Sequence, residues 1–254
     1  MLSKNKIKFI NSLKQKKYRK LHNLFICEGI KICKALLNSD YQIQQLYITE
    51  KTVDKNPDCK IPNATIITDQ QMQKISSLKT PQGILAIVEM KNNILNIKEL
   101  EKGFTIVLDN IQDPGNLGTI IRTALWFDIK NIVCSPQSVD LYNPKVIQAS
   151  MGAIFGVNIF YTDLIKLFSE VKNKIPIYGT FADGENIYYS KILPPALIVF
   201  GNEANGINNN LLPLLDKKIA IPSLNNSQLT DSLNVAVSTA IITAEIKRHN
   251  LQDK

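Results

Sequence analysis

Three segments far apart in this chain break in the same way, and that shared break constrains the fold more than any other feature. Each is a short apolar run that stops abruptly in Asn, Gly or Pro together with one charged residue. The first is Thr105-Ile-Val-Leu-Asp-Asn-Ile-Gln-Asp-Pro-Gly-Asn-Leu-Gly-Thr-Ile-Ile-Arg122. The second is Leu197-Ile-Val-Phe-Gly-Asn-Glu-Ala-Asn-Gly206. The third is Ile219-Ala-Ile-Pro222, continued by Thr230-Asp-Ser-Leu-Asn-Val235. A run of four or five apolar residues reads as a buried strand of a parallel sheet, and ligands gather beyond the carboxyl ends of such strands. Asn116, Arg122, Glu203, Ser232 and Asn234 stand at these ends, so the pattern predicts one composite polar site.

The rest of the chain divides around that pattern. Residues 1–90 alternate short pieces: a basic helix over Lys4–Lys20, strands at Leu24–Cys27, Ile43–Ile48, Thr65–Thr68 and Ile84–Val88, and helices over Gly29–Leu37 and Asp69–Ser77, the last with Asp69 as its cap. Lys91–Gly103 is charged and Asn-rich and reads as a linker. From residue 104 to 254 the order becomes strand, polar turn, helix, with strands at Phe104–Leu108, Asn131–Cys134, Ile175–Tyr178, Ala196–Phe200 and Lys218–Ile221. That alternation predicts a parallel sheet covered by helices. The last helix is expected over Ser232–His249, with Asp231 or Ser232 at its start and Asn234 already inside it.

Asp-Asn-x-x-Asp-Pro-x-Asn-x-Gly-x-x-x-Arg, Gly-Asn-Glu-x-x-Gly and Ile-Pro…Ser-Leu-Asn-Val, in this order, resemble the three motifs of the SpoU/TrmH RNA 2′-O-ribose methyltransferases. The resemblance implies an α/β trefoil-knotted domain that binds S-adenosylmethionine and forms a homodimer through that carboxyl-terminal domain. Phe25-x-x-Glu-Gly-x-Lys31, followed by an apolar helix, is similar to the L30e-like substrate-binding domain that many of these enzymes carry at the amino terminus. It implies that residues 1–90 grip RNA.

Charge agrees with an RNA partner. The formal charge is +8, and residues 1–34 hold Lys4, Lys6, Lys8, Lys14, Lys16, Lys17, Arg19, Lys20, Lys31 and Lys34 against the single acid Glu28. With no acidic residues interleaved, this stretch reads as a phosphate-contacting arm rather than a solvated helix face. Cys27, Cys33, Cys59 and Cys134 form no Cys-x-x-Cys pair, so reduced buried thiols are expected rather than a metal site or disulfides. His22 and His249 lie outside all three motifs, which argues against a Ser-His-Asp hydrolase. No apolar stretch approaches the roughly 20 residues that cross a bilayer, and no secretory signal is visible; the expected location is cytoplasmic.

No Gly-x-Gly-x-x-Gly follows a predicted strand, so the usual dinucleotide loop is missing. The resemblance maps the cofactor pocket onto Thr180, Gly201, Ile221 and Leu233. It makes Arg122 the group that engages the target ribose 2′-hydroxyl. A guanidinium is a poor proton acceptor because its pKa exceeds about 12, but its apolar neighbours Ile120, Ile121, Ala124 and Leu125 call for a partner to its charge. Asn116 reads either as a helix cap or as a site residue. The resemblance also implies that Glu203 helps organise the pocket and the subunit interface and that Ser232 and Asn234 lie near cofactor and substrate. The stretch 223–231 is longer than the family's usual loop and has no glycine. The reading is 2′-O-methylation of structured RNA, with 23S ribosomal RNA preferred. Transfer RNA, or a non-catalytic RNA-binding protein of ribosome assembly, is the alternative.

Overall fold

The structure, a computed structural model, describes residues 2–57, 64–224 and 232–251. Its helices are α1 (Lys4–Ser12), α2 (Lys16–His22), α3 (Ile30–Leu37), α4 (Glu50–Lys55), α5 (Asp69–Ile75), α6 (Ile97–Leu100), α7 (Pro114–Trp126), α8 (Pro144–Ser150), α9 (Leu164–Val171) and α10 (Val235–Leu251). Its strands are β1 (Leu24–Glu28), β2 (Ile43–Ile48), β3 (Thr65–Ile66), β4 (Ile84–Glu89), β5 (Phe104–Leu108), β6 (Asn131–Cys134), β7 (Asn158–Tyr161), β8 (Ile177–Asn186), β9 (Ala196–Phe200) and β10 (Lys217–Ala220). They fall into two compact units, residues 1–92 with 140–156, and residues 93–139 with 157–254.

The first unit is a mixed sheet in the order β1-β4-β2-β3, antiparallel except for the β2–β3 pair. Successive residues of a strand point to opposite faces, and β1 uses both. Leu24 and Ile26 join Ile10, Leu13, Met72, Ile75, Leu85 and Ile87 in one core. Phe25 faces the other way and meets Tyr142 with ring centroids 4.4 Å apart, while Tyr41 packs edge-on to Phe155 at 5.1 Å. Tyr142 and Phe155 belong to the segment 140–156, which the sequence reading assigns to the carboxyl-terminal domain; the apolar reverse face of β1 is the physical reason that it packs here. Gln148 adds a hydrogen bond to the Glu28 carbonyl at 2.8 Å.

Three expectations for this unit need correction. The basic stretch is two helices, because the chain turns at Leu13–Gln15 between α1 and α2. Its Arg19 is no phosphate contact: it is 2% exposed, donates to the carbonyls of Leu13 and Lys14, and forms an ion pair with Asp140. Lys14 is likewise engaged, donating to the Ser76 carbonyl at 2.8 Å. Lys4, Lys8, Lys16, Lys17, Lys20 and Lys31 are exposed. Thr68, not Asp69, caps α5, since its hydroxyl accepts the Gln71 N–H while the Gln71 side chain accepts the Thr68 N–H. The Phe25…Glu28 signature has a structural use: the buried Glu28 carboxylate accepts from the Ser76 hydroxyl and the Ser77 N–H and so ties down the loop after α5.

The second unit is a wholly parallel six-stranded sheet, ordered β10-β8-β9-β5-β6-β7. β5 and β9 are buried along their whole length, as expected of strands covered on both faces. β7 is absent from the sequence reading, and β8 runs to Asn186, well past the expected Tyr178. The presumed linker contributes α6, whose Leu100 is fully buried in this unit's core. Pairing of β10 with β8 jumps: Lys218 faces Gly179, but the next residue, Ile219, faces Glu185. Gly184 allows this passage, because a Cβ there would lie 2.5 Å from the Ile219 carbonyl carbon.

Cys27, Cys33 and Cys134 are buried, and burial pushes the Cys134 thiol up to about 12. Cys59 lies outside the described residues. No helix among the described residues is long and apolar enough to cross a membrane. Breaking a buried ion pair by removing one partner costs about 3 kcal/mol or more, so Arg19→Ala should lower the unfolding free energy of the whole chain by about that much in urea. A change below roughly 1 kcal/mol would mean that the Arg19–Asp140 pair behaves as a surface contact.

Candidate active site

Strand order selects the place. From β5 the chain moves to β6 on one side; from β9 it moves to β10 on the other. β5 and β9 are neighbours, so their carboxyl ends form the topological switch point at which open α/β sheets bind ligands. The residues just beyond them are those of the first two motifs.

After β5, Asp109 continues the ladder by donating its N–H to the Phe200 carbonyl at 2.9 Å. Asn110 then takes a left-handed conformation (φ 56°) and donates its N–H to the Ser135 hydroxyl. Asp113 caps α7 by accepting the Asn116 N–H at 2.8 Å, with Pro114 in the first turn where its missing N–H is harmless. The cap is therefore Asp113, which leaves the Asn116 side chain free for other bonds.

After β9, Asn202 and Gly206 exchange backbone hydrogen bonds of 3.0 and 2.8 Å, closing a tight turn with Glu203 on it. The Asn202 side chain accepts from Ala204 and Asn205 and donates to the Asn110 carbonyl at 2.9 Å, which fastens this turn to the first motif. Gly201 is required by its own chain: a Cβ would stand 2.2–2.5 Å from backbone atoms of Gly206 and Ile207.

The three motifs meet at Asn116. Its side-chain amide donates to the Glu203 carboxylate, and its oxygen accepts from the Asn234 side chain at 3.0 Å. Asn234 in turn caps α10, accepting from the N–H groups of Ala236 and Val237. This corrects the expected helix: it begins at Val235, so Asn234 stands before it, and Asp231 lies outside the described residues. Ser232 is exposed and makes no hydrogen bond among the described residues.

Arg122 stands apart from this chain of bonds. Six residues along α7 is roughly 9 Å of rise and about 240° of rotation from Asn116. Its side chain is exposed, without an ion pair among the described residues, and beside it Leu125 and Trp126 are also exposed, Trp126 by 84%. The expected demand for a partner to this charge is therefore met by solvent.

The residues mapped to a cofactor lie within β8 (Thr180), just beyond β9 (Gly201) and β10 (Ile221), and just before α10 (Leu233). Thr180 is half-buried and its hydroxyl donates to the Val199 carbonyl at 2.9 Å. Gly201 leaves β9 beside it, and Ile221 follows β10, both half-buried; Leu233, just before α10, is 48% exposed. Backbone groups at neighbouring strand ends flanked by half-exposed aliphatic side chains fit a ligand with a flat apolar ring and hydrogen-bonding edges. Residues 225–230 of the polar loop lie outside the described residues.

Sequence reasoning missed the neighbouring cavity of about 410 Å³ lined by Asp109, Asn110, Gln137 and the 205–209 segment. Asp109 and Asn110 of the first motif and Asn205 and Gly206 of the second line it, whereas Gln137 lies in a loop that no motif covers.

Comparison with known proteins bears on all of this. The SpoU rRNA Methylase family matches residues 103–244, and the MRM3-like substrate binding domain matches residues 4–86. The 23S rRNA (guanosine(2553)-2′-O)-methyltransferase RlmP of Bacillus subtilis is 26% identical over 95% of this chain and 96% of its own. A TrmH-family protein from Porphyromonas gingivalis superimposes with a TM-score of 0.87 at 33% identity, covering 98% of this chain and 99% of its own. An AdoMet-bound rRNA methyltransferase from Sinorhizobium meliloti gives 0.82 at 25% identity, over 98% and 96%.

Because Asn116, Glu203 and Asn234 remain reachable by water, their bonds stabilise only modestly. Asn116→Ala should lower stability by about 1 kcal/mol, and Asn116→Ala with Asn234→Ala should lose less than the sum of the single losses. Strictly additive losses in thermal or urea unfolding would mean that the two side chains are not coupled.

Proposed function

This chain belongs to the SpoU methylase family, and from that premise we propose that it is an S-adenosylmethionine-dependent RNA 2′-O-ribose methyltransferase acting on large-subunit ribosomal RNA. The observation that carries the reading is the Asn116 amide bonded to both Glu203 and Asn234. A chain that had lost catalysis would have no reason to keep three separate motifs joined at one polar point. The ribosomal substrate is supported by the near full-length match to a 23S rRNA enzyme and by the substrate-binding match at residues 4–86. The exposed lysines of α1 and α2 are the phosphate contacts we assign to that unit.

Bound S-adenosylmethionine supplies a methyl group on a sulfonium, which a ribose 2′-oxygen can accept. The protein's task is then to hold that oxygen in line and help it lose its proton. Thr180, Gly201, Ile221 and Leu233 would hold the cofactor, through backbone groups and aliphatic cover. Asn116 uses one amide N–H on Glu203 and one acceptor position of its oxygen on Asn234, so its role is to fix Glu203 and the start of α10. Arg122, with its guanidinium in solvent, binds the phosphate and 2′-oxygen of the target nucleotide and is essential for that reason; its acting as the proton acceptor is the less favoured version. Ser232 borders the same region.

We further infer a trefoil knot and a homodimer. The knot is supported by the five-residue jump in the β8–β10 pairing and by the close passage of Gly184 against Ile219. The dimer is supported by apolar side chains left in solvent on two helices that pack together, Leu125 and Trp126 on α7 and Val237 on α10. Arg122 lies on this same surface helix, so pairing of copies would bring it beside a second site.

The test is transfer of radiolabelled methyl from S-adenosylmethionine to large-subunit ribosomal RNA lacking native modification. Wild type should label ribose 2′-oxygens, Arg122→Ala should fall by at least about 100-fold, and light scattering should give the mass of two chains. Near-normal labelling by Arg122→Ala would remove Arg122 from the site, and the mass of one chain would remove the dimer.

A further inference from the structure

The cavity beyond β5, β6 and β9 is lined by none of the residues assigned to the cofactor, Thr180, Gly201, Ile221 and Leu233, although Gly201 adjoins its Gly206–Ile207 wall. Its floor is Asp109, a carboxylate only 6% exposed. One oxygen, Oδ2, accepts the Asn208 N–H at 2.7 Å; Oδ1 has no hydrogen-bond partner among the described residues. Around it stand the carboxamides of Gln137, Asn205 and Asn209, which also make no side-chain hydrogen bond among the described residues. No Lys or Arg lines the cavity, so a phosphate has no counter-charge there.

The second oxygen of this carboxylate is open to the cavity, where a ligand's N–H can take the place of water as its donor. It accepts only, whereas a carboxamide both donates and accepts. The complementary ligand therefore presents adjacent N–H donors flanked by a hydrogen-bond acceptor, on a flat body that fits about 410 Å³. Among nucleobases, guanine alone has that edge: N1–H and the 2-amino group side by side, with O6 next to them. Adenine places an acceptor at N1, and uracil and cytosine lack two adjacent donors of this kind.

We propose that this cavity is a base-recognition subsite that takes a guanine of the RNA, with Asp109 accepting from N1–H and the 2-amino group, and Gln137 or Asn209 donating to O6. The geometry links it to the reaction site through one loop: Asn202, which holds the Asn110 carbonyl, belongs to the turn that carries Glu203, and Asn205 and Gly206 of that turn line the cavity. Its identity as part of an RNA site rests on the methyltransferase reading above. The neighbouring depression lined by Ser135, Pro136, Asp163 and Leu164 continues along Asp109 and Gln137, giving room for the sugar of the same nucleotide.

The test uses the full-length protein with 5′-GMP, AMP, UMP and CMP, followed by ligand-observed NMR in the millimolar range. GMP should bind at least about fivefold more tightly than AMP, since a good paired contact to a base edge discriminates by that much or more. Asp109→Asn should abolish the preference. Should that variant fail to fold, Gln137→Ala with Asn209→Ala, both at exposed positions, should weaken GMP by at least about threefold and leave the thermal transition unchanged. Equal binding of the four nucleotides, no binding of any, or displacement of GMP by S-adenosylmethionine in direct competition would each overturn the subsite. If S-adenosylmethionine fails to bind while GMP binds with the stated preference, the subsite stands and the methyltransferase reading falls.

Discussion

Asn116 has one side-chain carbonyl and one amino group, and the site depends on how both are used. The amino group faces Glu203 in the turn after β9, and the carbonyl faces Asn234 at the start of α10. Asp113 caps α7 and holds the Asn116 backbone, and β5 and β9 run side by side in register from Phe104–Ala196 to Leu108–Phe200. A parallel sheet sets the height of the two loops, a tight turn aims Glu203, and a helix cap fixes Asn234. The polar cluster is thus the product of ordinary backbone geometry at three chain ends that are distant in sequence.

Much of this was legible before any coordinates. The strands Phe104–Leu108, Asn131–Cys134 and Ala196–Phe200 are found at the predicted residues, because uninterrupted apolar runs bounded by polar turns have few other solutions. Of the five residues expected to form one polar site, Asn116, Glu203 and Asn234 are joined by hydrogen bonds, whereas Arg122 and Ser232 make none with them among the described residues. What was not legible follows from tertiary context. Asn234 looked helical because Val235 and Ala236 continue an apolar spacing, yet a cap is defined by which N–H groups its side chain can reach. Asn158–Tyr161 buries only its two central residues, so it lacks the continuous apolar run that marks Asn131–Cys134. Nor does the sequence show that Gly201 must make room for the backbone of Gly206 and Ile207.

The amino-terminal unit teaches the same lesson about charge. A run of ten basic residues with one acid reads as a uniform electrostatic arm, but composition cannot tell which cations face water. Arg19 is withdrawn because the carbonyls of Leu13 and Lys14 at the α1–α2 turn need donors, and Asp140 supplies the counter-charge. The remaining exposed lysines still form a surface suited to a polyanion, now on two short helices rather than one long one. Phe25, Glu28 and Gly29, which resemble a substrate-binding signature, are buried and hold the unit together; the part of the signature open to a ligand is Lys31.

The most direct test of the account is a transcriptome-wide map of ribose 2′-O-methylation in cells with and without this protein. Methylation at a site in large-subunit ribosomal RNA should be lost, and restored by the wild-type chain but not by one carrying Arg122→Ala. A map that is unchanged when the protein is removed, with ribosomal RNA fully covered, would contradict it.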